Sequence, residues 1–197
     1  MTDLREHTAA PIRVELPASD EALSALRAGD EVRLFGDVFT ARDAGHERLL
    51  EALERDGELP FGLSGQVLFY AGPTPATPGY PSGAVGPTTA KRMDWATPAL
   101  LRAGIAGAIG KGARSPEVRE AFAEAGAIYF AAVGGAAALL GRHVVAARPV
   151  AWADLGTEAL TRLTLDDFPA FVAIDTQGND LHASAPGSWR TDREERT

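Results

Sequence analysis

The chain has 197 residues, is 45% hydrophobic, lacks cysteine, and carries a formal net charge of −8 from 27 acidic and 19 basic side chains. That suits one domain with a real core, excludes disulfides, thiolate metal sites and a cysteine nucleophile within the chain, and offers no basic stripe for nucleic acid. No apolar run approaches the ~20 residues a membrane span needs, and MTDLREHTAA lacks a hydrophobic signal core, so a cytoplasmic protein is expected.

In chain order, residues 1–10 read as a polar tail, 11–186 as one domain, and 187–197 as a second polar tail. IRVELP reads as a short strand. SDEALSALRAGD reads as a helix with Ser19 or Asp20 as cap and Gly29 as stop. EVRLFGDVFTA alternates like a strand pair or one bent strand. ARDAGHERLLEALERDG predicts a helix ending at Gly57. GQVLFYAGPT is a strand running into a turn, and TPATPGYPSG is a loop. AVGPTTAKRMDW reads as a strand end entering a helix, and TPALLRAG as a helix with Pro98 in its first turn and Gly104 as stop. IAGAIGKG is a small-residue strand, SPEVREAFAEAG a capped helix, and AIYFAAVGG an apolar strand. AAALLGRHV and WADLGTEALTRL read as helical. FVAIDTQGNDLHA reads as a hairpin turning at Gln177–Asn179. Alternating elements with near-continuous apolar strands predict an α/β domain with a mostly covered sheet.

The densest chemical signal is Gly86-Pro87-Thr88-Thr89-Ala90-Lys91-Arg92-Met93-Asp94. A helix start leaves free N–H groups that attract anions. On a helix, Thr88 and Arg92 share a face, and Arg suits bidentate carboxylate binding. The bland alternative is a capped helix with a surface arginine. Lys111 sits between Gly110 and Gly112, held on a turn at a strand end, where α/β folds place ligands. It is not a phosphate-binding loop, because Ile105 and Gly112 stand where that motif needs Gly and Ser or Thr. In Arg42-Asp43-Ala44-Gly45-His46, Asp43 is a candidate cap, His46 falls one turn on, and Arg42 occupies a strand-to-helix junction. Gly134 and Gly135 follow an apolar strand and admit either a ligand or tight packing. Asp175 and Asn179 read as turn residues. The histidines His7, His46, His143 and His182 show no zinc-ligand spacing. The chain therefore offers cations and hydroxyls but no metal site, which amounts to half an active site.

RDAGH, AGPTP, GPTTAKRMD, IGKG, the glycine pair and FP-x₃-ID-x₂-GN, in that order from Arg33 to Leu181, resemble the β subunit of class I fumarases, whose single-chain relatives carry the same region as a C-terminal domain. GPTT-x₂-RMD is the most specific piece. The resemblance implies a single swivelling β/β/α-type domain. It implies an α-subunit partner, in an α2β2 assembly, that holds a [4Fe–4S] cluster on three cysteines. The active site would lie between the subunits, and the substrate would be a C4 dicarboxylate, fumarate or malate. Tartrate, mesaconate and a non-catalytic subunit are the alternatives. Carried over by position, Arg42, Arg92 and Lys111 match the substrate-carboxylate ligands and Thr88 the catalytic base or its relay. Asp43, His46, Thr89, Asp94, Gly134 and Gly135 would stand behind them. Gly45 stands where many relatives have alanine.

Overall fold

The computed structural model describes residues 10–185; the tails expected at 1–10 and 187–197 lie, apart from residue 10, outside them. β1 (Ile12–Leu16) leads through α1 (Asp20–Ala25) to β2 (Glu31–Thr40), and α2 (Asp43–Asp56) follows. β3 (Val67–Phe69), α3 (Thr97–Arg102), β4 (Gly107–Gly110), α4 (Pro116–Glu124) and β5 (Ile128–Ala131) come next. α5 (Ala137–Leu140), β6 (Val144–Ala151) and β7 (Leu160–Ile174) complete the order.

The seven strands run β1-β2-β3-β4-β5-β7-β6, and an extra antiparallel pairing of β2 with β7 closes β2, β3, β4, β5 and β7 into a ring. Within it, β2 to β5 are mutually parallel. Alternate side chains along each strand point to opposite faces, so each strand feeds two cores. Val67, Phe69, Ile109, Ile128 and Phe130 pack inside the ring. Leu68, Ala108 and Tyr129 pack outside it, against Leu49 of α2, Leu100 and Leu101 of α3, and Val118 and Phe122 of α4. Both faces of these strands are buried, which explains their unbroken apolar runs. The expected α/β architecture is present.

Local chemistry sets many boundaries. The Ser19 hydroxyl accepts from Ala22 N–H and Ser115 from Val118 N–H, starting α1 and α4. Gly57, at φ 75°, ends α2 in the left-handed conformation. EVRLFGDVFTA is one bent strand. Gly36 has φ 92° and its missing Cβ lets Leu16 carbonyl approach, beside a register shift against β7.

Four expectations need correction. WADLGTEALTRL is not a helix: a 3₁₀ segment at Ala153–Glu158 is kinked at Gly156, and β7 begins at Leu160. Its alternating Leu163 and Leu165 are buried by pairing with β2 and β6, so partners decide the state. AAALLGRHV is helical only through Leu140, with one 3₁₀ turn at Gly141–His143, after which Val144 joins β6. α1 stops at Ala25, before Gly29. The turn at Gln177–Asn179 forms, but its return arm is a single bridge, Ile174 to Asp180, and residues 181–185 are helical. There Asp175 accepts N–H groups from Ala28, Gln177 and Asn179. Burial pushes its carboxyl up, but the Asn179 side-chain amide, which donates to both its oxygens, and then those N–H groups outweigh it and hold it below the ordinary carboxylate range.

Candidate active site

The C-terminal ends of the parallel strands β2 to β5 open onto one edge of the ring, the place where α/β sheets hold ligands. Arg42 follows β2, Tyr70 to Gly72 follow β3, Lys111 follows β4, and Gly134 follows β5. The chain between Gly72 and Ala90 returns to this edge. Pro87 bridges Ala71, Thr88 N–H donates to Tyr70 carbonyl at 2.6 Å, and Lys111 N–H donates to Thr88 carbonyl at 3.1 Å. Ala90 N–H then reaches Lys111 carbonyl at 2.9 Å. Thr88 is thereby stapled between the β3 and β4 ends, beside Lys111.

This corrects one expectation. The helix after Thr88 is a 3₁₀ turn spanning Ala90–Met93, so Thr88 precedes it and does not share a helical face with Arg92. The backbone of Thr88 is committed to the two strands and cannot join a helix. Thr89 occupies the cap position without a side-chain capping bond.

The cations are aimed by neighbours. Arg42 Nη2 lies 3.4 Å from Glu158 Oε1, and a Cβ added to Gly72 would stand 2.8 Å from Arg42 Nη1. Gly72 is therefore needed for the guanidinium to lie across the β3 end. Arg92 is held by a bidentate pair with Asp43, Nε to Oδ1 at 3.1 Å and Nη2 to Oδ2 at 2.6 Å. Asp43 is thus the first residue of α2 and an anchor for Arg92, not the helix cap. Arg42 stands at the cap position, and Glu158 Oε2 accepts Ala44 N–H at 3.0 Å from outside the helix. A Cβ at Gly134 would lie 3.2 Å from Lys111 Cδ, so the bare glycine leaves room for the lysine stem. Gly135, at φ 80°, meets nothing within 4 Å. The Lys111 ammonium and Thr88 hydroxyl have no side-chain partner among the described residues.

Glu158 carries a prediction. Glu158→Ala strips the acceptor from the start of α2 and is expected to cost about 1 kcal/mol, while Glu158→Gln keeps an acceptor oxygen and costs a fraction of that. Denaturant melts of the two variants check this.

Behind the edge lies a buried layer. Asp94 accepts from Arg114 Nε at 2.7 Å and from Ser115 N–H at 2.9 Å. The Arg114 side chain is 0% exposed, donates to Thr97 Oγ1 at 2.7 Å, and lies 5.2–5.6 Å from the rings of Tyr70, Phe122 and Tyr129. Thr97 donates to Met93 carbonyl, and Tyr70 hydroxyl lies 3.2 Å from Thr97. This network braces the Met93–Thr97 segment against β3, β4 and β5. Burial pushes the Tyr129 hydroxyl well above its usual range, and it donates to Gly112 carbonyl, fixing the turn after Lys111.

His46 is completely buried, edge-on to Tyr70 at 5.1 Å. Its Nδ1 lies 2.8 Å from Arg42 carbonyl, so Nδ1 carries the hydrogen and Nε2 is bare. Burial lowers its pKa from 6.5 to about 4, so the ring is neutral near pH 7. The unfolded chain protonates His46 near pH 6.5 and the folded chain near 4. Stability is therefore complete above pH 6.5 and is lost as pH falls toward 4, on the order of 3 kcal/mol. Denaturation midpoints between pH 7 and 4.5 should fall accordingly, and His46→Phe should flatten that slope. Asp175, held below 3.8, contributes its loss at lower pH.

The three expected carboxylate ligands, Arg42, Arg92 and Lys111, and the expected base Thr88 therefore gather at one sheet edge. Reading the sequence missed Arg114, Tyr70 and Glu158. Arg114 gives no signal in KGARSP, and Glu158 falls in the segment misread as helix. Among the described residues no group of three metal-ligating side chains occurs and no helix is long and apolar enough to cross a membrane.

The structure is thus an α/β ring that carries three cations and a threonine at its parallel strand ends. The chain belongs to the Fumarase C-terminus family, whose match spans residues 2–185. It is 37% identical over 161 residues to the anaerobic class I fumarate hydratase of Escherichia coli strain K12, covering 81% of this chain and 29% of that protein. It is 34% identical over 165 residues to fumarate hydratase 2 of Leishmania major, covering 83% and 29% respectively. It is 35% identical over 163 residues to a putative L(+)-tartrate dehydratase subunit beta of Methanocaldococcus jannaschii, covering 80% of this chain and 84% of that one. The chain thus spans under a third of the fumarate hydratases it matches, but most of the tartrate dehydratase subunit.

Proposed function

We propose that this chain is the β subunit of a two-subunit hydro-lyase that interconverts fumarate and malate, and that its strand-end cations hold the substrate carboxylates. The observation that carries this reading is the convergence of Arg42, Thr88, Arg92 and Lys111 on one edge, with Glu158 and Asp43 holding the two arginines. With no cysteine in the sequence, the chain's own residues do not fit an iron–sulfur cluster; in this reading the cluster belongs to an α subunit that closes the other half of the site.

The chain's part in the reaction is electrostatic. A C4 dicarboxylate is a dianion. Arg42, Arg92 and Lys111 fix its pose. Loss of a proton from carbon next to a carboxylate pushes negative charge into that carboxylate. Cations already in place stabilise this charge as it develops, with no reorganisation at the moment of reaction. In this reading the Thr88 hydroxyl, beside Lys111, takes or relays that proton. A hydroxyl at its ordinary pKa is a weak base, so the neighbouring cations are what make the role tenable.

The similarity to a tartrate dehydratase subunit favours a second reading, in which the same cations serve tartrate. A substrate panel on the assembled complex separates the two. Preferred turnover of malate supports the first reading, and preferred turnover of tartrate or of the mesaconate hydrate replaces it.

A further inference from the structure

A cleft on the outer face of the ring is lined by residues other than the strand-end cations. Phe39 of β2 pairs with Arg162 of β7, and Arg162 pairs with Arg148 of β6. Residues directly opposite one another across antiparallel strands project from the same face, with Cβ atoms about 5 Å apart. Phe39, Arg162 and Arg148 therefore form one row across three strands. Two like charges directly opposite are unfavourable. Asp37, two residues before Phe39, relieves this only in part. Its Oδ2 is 3.6 Å from Arg162, and its Oδ1 is taken by the Thr164 hydroxyl at 2.6 Å. Arg148 has no ion pair or side-chain hydrogen bond among the described residues.

The row floors a cleft of about 230 Å³ completed by Phe61, Pro149 and Val150. Phe61 is 49% exposed and held at φ 59°, a left-handed conformation that bulky residues rarely adopt. Its ring packs edge-on against Trp152, itself at φ 58°. Two neighbouring aromatic residues in this conformation mark a wall held in place against local preference, a recurring feature of ligand sites. On the other side of the same ring, Arg48 is satisfied by Asp154 and Arg55 by Asp56. The unsatisfied positive charge is thus confined to the Arg148 side.

We infer that this cleft binds a small oxyanion carried on an apolar or ring-bearing body, with the anion bridging Arg148 and Arg162 and the body lying along Phe39 and Phe61. No reaction is implied.

The test is calorimetric titration of the full chain at low ionic strength with phenyl phosphate and with inorganic phosphate, beside thermal melts in the same ligands. Phenyl phosphate is expected to bind saturably and to raise the melting temperature, more tightly than inorganic phosphate because only it uses the aromatic wall. Arg148→Gln should weaken binding at least about tenfold, the loss of one charge-assisted contact, and Phe61→Asn, which tolerates the left-handed backbone, should erase the preference for the aryl ligand. The free Arg148→Gln chain should melt no lower than the parent, since it loses only a repulsion. Lys111→Met should leave this binding unchanged. Absence of saturable binding would overturn the inference. So would binding that survives Arg148→Gln but disappears in Lys111→Met, because the ligand would then occupy the strand-end site. Equal affinity for both phosphates would remove the aromatic wall from the proposal and overturn the ligand class.

Discussion

Asp94→Ala is expected to destabilise the fold by about 3–5 kcal/mol, the usual cost of leaving a buried charge without its partner. Asp94 accepts from both Arg114 Nε and Ser115 N–H, and the Arg114 side chain is 0% exposed. Removing the carboxylate strands a guanidinium among Tyr70, Phe122 and Tyr129 and also strips the start of α4 of an acceptor. Arg114→Met in the same chain should recover most of the loss, because an apolar side chain of similar length needs no counter-charge. Denaturant unfolding of the two single variants and the double variant gives the coupling directly. Additive losses would mean that Asp94 acts through Ser115 alone.

The second large effect concerns turnover. Arg92→Ala in the assembled complex is expected to lower kcat/KM by about 10²–10³-fold, the scale on which removing one preorganised charge-assisted contact to a developing anion acts. Stability should barely change. The Arg92 side chain is 52% exposed, and an exposed ion pair such as Arg92–Asp43 contributes about 0–1 kcal/mol. That split between activity and stability separates a substrate contact from a structural role. Arg92→Lys should restore little, since an ammonium cannot engage Asp43 and a carboxylate with a planar fork. Turnover near the parent value in Arg92→Ala would remove Arg92 from the site.

Much of this was legible from local chemistry. Ser19 and Ser115 announce helix starts, Gly57 a helix stop, and the apolar runs of β3 to β5 a sheet covered on both faces. RDAGH and GKG stand out because each sits where a strand ends, whereas GPTTAKRMD, expected at a strand end, follows no strand and returns to the edge through the Ala71–Pro87 bridge. Their convergence was not legible from residue chemistry alone, because it depends on the order β2-β3-β4-β5, which arises from pairings distant in sequence. The same distance explains the misread segments. β7 owes its 15 residues to partners in β2, β5 and β6, and the helix-like spacing of WADLGTEALTRL yields to them. Thr88 reads as helical in sequence, because its backbone partners, Tyr70 and Lys111, are distant in the chain and are set by β3 and β4. Arg114 gave no signal because a buried arginine looks in sequence like an exposed one, and only the rings around it show its place.

The central claim is that this chain supplies one half of a shared site. It is tested most directly by following malate–fumarate interconversion by absorbance under anaerobic conditions, for the chain alone and for the chain mixed with a cluster-bearing α partner. Interconversion in the mixture and none with the chain alone is the predicted result. Full activity of the chain alone would contradict the account.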